Sequence, residues 1–198
     1  MCFPYRYGIN SVLLNDQGKR FRHSEFAVGV EPRQPGMRLK AWFDVPETTA
    51  GNEHPMAIGR QGKVQVWSCL GTRSSALLDI DSDLDIVTSE FNSPPQVLIS
   101  DLAQRHPEIS HLQIRLSGRK SNRDGLGARI TISAGNDRYM QVNDGKSGYL
   151  SQSSAPLYFG LGTHQTADSI EVAWPSGLTQ SIAGPVKAGQ LLVIEETE

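Results

Sequence analysis

Apolar and polar residues alternate along most of this chain, most cleanly beyond residue 110. In HLQIRLSG, Leu112, Ile114 and Leu116 fall on one side of an extended strand, as the two-residue period of a pleated strand requires. ARITISAGNDRYMQV repeats the pattern on both sides of Gly135-Asn136 and predicts a hairpin. APLYFGLG, DSIEVAWPSG, LTQSIAG and GQLLVIEE add four strands, with turns at Asn143-Asp144-Gly145 and Pro175-Ser176-Gly177. Seven strands within fewer than ninety residues predict a β-sandwich. Phe159 and Trp174, at strand ends beside glycines, are expected as core anchors rather than a sugar-stacking platform. Gly125, Gly127, Gly160, Gly162 and Gly177 are expected where the backbone needs positive φ or a close approach.

The N-terminal half is less regular. An apolar run from Val12 to Leu14, the turn residues Asn15-Asp16-Gln17-Gly18 and then Phe21 predict a hairpin, with Gly18 taking the positive φ. LKAWFDV (39–45), KVQVWSCL (63–70) and QVLIS (96–100) read as strands, whereas the prolines and glycines of the intervening 46–62 predict loop. Residues 101–110 weaken into a short helix or linker ended by Pro107, because the residue before a proline is driven from the helical region. The expected domain boundary therefore lies there, dividing 1–105 from 106–198.

Composition narrows the function classes. The chain has 198 residues, a formal charge of -2 and 19 glycines and 11 prolines, which favours many strands and tight turns over long helices. Without a basic excess, nucleic acid is not expected as a partner. No apolar run is long enough to span a bilayer. Met1 leads into CFPYRYG without the basic start and apolar middle of a secretory signal, so the text reads as a cytoplasmic protein or a fragment of a longer one. Cys2 and Cys69 are too few and too far apart to specify a disulfide. His23, His54, His106, His111 and His164 show no zinc-ligand spacing, and the Gly-Lys-Ser of DGKSG lacks the upstream glycine of a phosphate loop, Met140 standing in its place.

The candidate chemistry lies in SSALLDIDSDLDIVTSEF. Asp79, Asp81, Asp83 and Asp85 occupy alternate positions, so on an extended chain all four carboxylates face one side, neighbours roughly 7 Å apart. Like charges so placed repel unless a cation lies between them, and oxygen ligands suit Ca²⁺. The competing reading is a solvated acidic strand edge that discourages pairing. An enzymatic alternative uses Asp83 and Glu90 as an acid pair acting on saccharides.

SNRDGLGARITI, GYLSQ, FGLG and WPSG occur in that order and spacing, and on these residues the segment 111–195 resembles the ASPIC/UnbV domain of the cartilage acidic protein family and its bacterial relatives. In that family the module follows a β-propeller of FG-GAP/VCBS repeats with Asp-rich calcium loops, and NSVLLNDQGKRF (10–21) and residues 74–101 resemble two such units. The resemblance implies an all-β chain, with partial propeller-like repeat units over 1–105, a β-sandwich over 106–198 and further repeats upstream. It implies a non-catalytic, secreted or cell-envelope interaction or adhesion module that binds protein or glycan. The repeats usually read D-x-D-x-D-G-D-x-D, and this chain lacks the central Gly-Asp. Asp79, Asp81 and Asp83 match the first three ligands, and Asp85 matches the last if the shortened loop curls.

Overall fold

The computed structural model describes residues 10–16, 18–31, 72–81, 83–90, 94–153 and 155–198, together with the backbone of 40–45 and 64–68. Fourteen strands and one short helix occur among them, so the chain is all-β as expected. It divides into two compact units, one of Met1–Leu77, Asp85–Ile99 and Ser147–Gln152, the other of Leu78–Leu84, Ser100–Lys146 and Ser153–Glu198.

The first strands are β1 (Leu13–Asp16) and β2 (Arg20–His23), an antiparallel hairpin. Gly18 has φ +73°, and its N–H donates to Asn15 Oδ1 at 2.8 Å, the side-chain turn that the Asn-Asp-x-Gly text predicts. Asp16 accepts hydrogen bonds from Arg20 Nε and Arg22 Nη2 at 2.9 and 2.7 Å, which draw its pKa below the ordinary range. β3 (Lys40–Val45) and β4 (Val64–Ser68) form a second antiparallel pair at the two expected places. The proposed loop between them, Cys2, Cys69 and His54 lie outside the described residues.

A three-stranded sheet of β5 (Thr72–Asp79), β6 (Leu84–Glu90) and β7 (Gln96–Leu98) follows. The aspartate run is therefore not one extended acidic edge. The chain leaves β5 at Asp79 and re-enters strand at Leu84, because Asp and Ser favour turns and a row of carboxylates on one face repels itself. The helix α1 (Leu102–Arg105) occupies the segment read as helix or linker, ending at His106 just before Pro107.

The remaining seven strands form the sandwich. β8 (Ser110–Ser117), β9 (Arg129–Ala134), β10 (Asp137–Val142), β11 (Leu157–Gly162), β12 (Thr166–Ala173), β13 (Thr179–Lys187) and β14 (Leu191–Glu195) make two sheets, ordered β10-β9-β12-β13 and β11-β8-β14. The inward positions supply one core: Leu112, Ile114, Phe159, Leu161 and Ile194 from the smaller sheet meet Ile130, Ile132, Ile170 and Val172 from the larger. β14 runs parallel to β8, a pairing that local alternation could not reveal. Gln141 Nε2 donates to Tyr158 O at 2.7 Å and Tyr139 Oη to Leu161 O at 3.2 Å, tying β10 to β11.

Trp174 is 4% exposed and Phe159 2%, both inside the core cluster as expected. Gly125 shows why its position excludes a side chain: its φ is +64°, and a Cβ would sit 2.8 Å from Leu116 Cβ and 3.2 Å from the Trp174 ring. Gly160 is a correction. It lies within β11 without positive φ, and a Cβ there meets open space, because the position faces outward from the sheet.

Candidate functional site

The turn between β5 and β6, together with the start of β6, gathers three of the four aspartates. One ligand atom from each of Asp81, Asp83 and Asp85 lies within 4.8 Å of the others. Two oxygens bound to a single Ca²⁺ at 2.3–2.6 Å stand at most about 5 Å apart, so this spacing suits a shared hard cation. The burial is uneven: Asp81 is exposed, Asp83 is 6% exposed and Asp85 is fully buried. Asp83 Oδ2 accepts the Ala103 N–H at 2.9 Å, at the start of α1. Its Oδ1 has no hydrogen-bond partner among the described residues. A buried carboxylate oxygen without a donor is unfavourable unless a proton or a cation completes it, and the all-oxygen donor set fits Ca²⁺ better than a soft metal.

Asp79 stands outside this triad. Its Oδ2 accepts from Gln113 Nε2 at 2.8 Å, so the turn is held against the middle of β8. Tyr158, paired with Gln113 in register, lies beside the same turn: burial raises its phenol pKa, and the charges of Asp79 and Asp83 add to the rise. The Tyr158 ring stacks on His111 with centroids 4.5 Å apart and planes 19° from parallel.

Of the two carboxylates read as an alternative acid pair, Asp83 lies in the turn just before β6 and Glu90 is the last residue of that strand. Glu90 Oε1 accepts from Thr72 Oγ1 and Thr88 Oγ1, both at 2.8 Å.

A second polar centre went unread in the sequence. Glu196, 1% exposed, accepts the backbone N–H groups of Arg119 and Ser121 on Oε2, both at 2.7 Å. Its Oε1 accepts Ser121 Oγ at 2.9 Å and Ser176 Oγ at 2.5 Å. Desolvation pushes its pKa up, but the hydrogen bonds from Ser176, Ser121 and Arg119 outweigh it and hold the carboxyl at about 2. The neighbouring loop closes on itself, with Asn122 Nδ2 donating to Leu126 O and Leu126 N to Asn122 Oδ1, both at 2.7 Å. Ser121 of SNRDGLG and Ser176 of WPSG thus meet on Glu196, and the Ser176 N–H donates to Ser121 Oγ at 3.2 Å. Nothing in the sequence singled out Glu196, which stands among the acidic residues of EETE.

Residues 118–198 match the ASPIC and UnbV family model. The match is shorter than the folded module, because β8 lies ahead of it and yet is the central strand of the smaller sheet. Cartilage acidic protein 1 of Xenopus tropicalis is 30% identical to this chain over 113 residues, a stretch covering 54% of the chain and 17% of that relative. The chain spans about a sixth of the length of the curated relative it matches. Among the described residues no helix is long and apolar enough to cross a membrane.

Proposed function

We propose that this chain is a non-catalytic interaction module of an extracellular or cell-envelope protein, with Ca²⁺ as a structural ion in the turn between β5 and β6. The family match over the C-terminal unit and the relative named cartilage acidic protein support the extracellular setting. In this reading the sheets of residues 1–105 are FG-GAP/VCBS-like repeat units of a propeller continued by chain outside this sequence, and the module engages a protein or glycan partner. The observation that carries the ion is Asp83 Oδ1, buried beside two further carboxylates without a donor among the described residues. Asp81, Asp83 and Asp85 hold the cation, which neutralises their mutual repulsion; water and backbone carbonyls complete the six to eight oxygens that Ca²⁺ takes. The glutamate centre supports a structural role, since a carboxyl held at about 2 by four hydrogen bonds is far from the range of a general acid.

The test is calcium titration of the whole chain by calorimetry, beside an Asp83→Asn variant. Stoichiometric uptake that the variant loses supports the reading. A chain that takes up no Ca²⁺ at millimolar concentration leaves the acidic turn as a charged surface feature only.

A further inference from the structure

We infer that Gln113, on the sandwich, is a positioning residue for the cation turn. The inference rests on the calcium reading above and deepens it. Four aspartates at alternate positions repel one another, and the turn must keep three together while directing the fourth away. Gln113 meets that need: its Nε2 donates to Asp79 Oδ2 at 2.8 Å, fixing the turn where the chain leaves β5. At the other side of the turn the Ala103 N–H fixes Asp83 Oδ2 at 2.9 Å, leaving Oδ1 without a hydrogen-bond partner among the described residues. The platform is stiff. Gln113 lies in β8, flanked by β11 through Tyr158 and by β14 through Leu191, and its own N–H is bonded to Gln190 O at 3.0 Å. A rigid strand that orients a residue flanking the ligands lowers the reorganisation needed when the ion enters.

Cation affinity is thus set partly from outside the aspartate run. Residues that orient metal ligands typically change affinity 10–100-fold when replaced, and Gln113 acts one residue further out, so a loss of about 5–10-fold is expected.

The experiment is a Ca²⁺ titration of the full chain by calorimetry, with Gln113→Ala and Gln113→Glu, each also melted in EDTA. Gln113 faces outward from the smaller sheet and is absent from the core cluster, so both variants keep the fold. The expected order of affinity is wild type, then Gln113→Ala, then Gln113→Glu, because a carboxylate repels Asp79 where the amide held it. The melting midpoints in EDTA should shift little for Gln113→Ala. Equal affinities across the three proteins overturn the inference while sparing the calcium reading, and so does tighter binding by Gln113→Glu. A wild type that binds no Ca²⁺ overturns both. A weaker affinity matched by a collapse of the EDTA midpoint shows general structural damage and likewise overturns the positioning role.

Discussion

Ser176 Oγ donates to Glu196 Oε1 at 2.5 Å, joining the Trp-Pro-Ser-Gly turn to the segment after the last strand. The same carboxylate holds the backbone of Arg119 and Ser121, so a single ionised group closes three chain segments. Its pKa lies at about 2 against an ordinary 4.5, and a lowered folded-state value stabilises the fold only where the group is ionised in both states. That stability is fully present above pH 4.5 and is lost as the pH falls from there towards 2. Melting curves between pH 7 and pH 2.5 should therefore show a falling midpoint below about pH 4.5 in the wild type. Glu196→Gln should start several degrees lower at pH 7 and lose part of that acid dependence.

The Trp174 side chain is expected to matter for stability rather than for ligand contact. Trp174→Ala removes a buried ring whose Nε1 also donates to Gln180 Oε1 at 3.0 Å. The loss should be roughly 3–5 kcal/mol by urea denaturation. A variant of unchanged stability that fails to bind a partner would make the ring functional.

Gly125→Ala offers a sharper probe of the same packing. It forces a Cβ against Leu116 and a side chain into φ +64°, so it should destabilise by more than about 1 kcal/mol. Gly160→Ala, facing open space, should be neutral or slightly stabilising in the same assay.

The Asp83→Asn exchange should act in opposite directions with and without Ca²⁺. In EDTA it removes one of three like charges and should raise the melting midpoint. With Ca²⁺ at a hundred times its dissociation constant the wild type gains about 2.7 kcal/mol, and the variant should gain little. A wild-type midpoint indifferent to Ca²⁺ would argue against the ion.

Much of the sandwich was legible because its signals are local. The Gly135-Asn136 hairpin, the Pro175-Ser176-Gly177 turn and the inward Leu112, Ile114 and Leu116 follow from alternation and turn chemistry over a few residues. The parallel match of Leu191 with Gln113 was not legible, since nothing local encodes which distant strand closes a sheet. At the candidate site the residue types pointed to Asp79, Asp81, Asp83 and Asp85 alike, and alternation could not show that Asp79 stands apart from the other three. Gln113 and Glu196 escaped notice because a strand glutamine and a glutamate near the end of the sequence carry no pattern; only their partners give them meaning.

Separating the two halves should give unequal products. All the members of the core cluster lie between Leu112 and Ile194, so residues 106–198 should express as a soluble monomer with one cooperative melt. Residues 1–105 carry sheets of two and three strands with Leu13, Leu14 and Phe21 exposed, and should self-associate on size exclusion. A monomeric, cooperatively melting 1–105 would argue for a complete small domain instead of repeat units.

The pairing of β14 with β8 also sets the order of events during synthesis. About eighty residues separate the partners, so β8 leaves the ribosome well before the strand that will cover one of its edges. At ordinary translation rates of about 5–20 residues per second that edge waits for several seconds. Through that interval the nascent module offers a bare hydrogen-bonding rim to any neighbouring chain, and its yield in a crowded cell should depend on how quickly the final strand arrives.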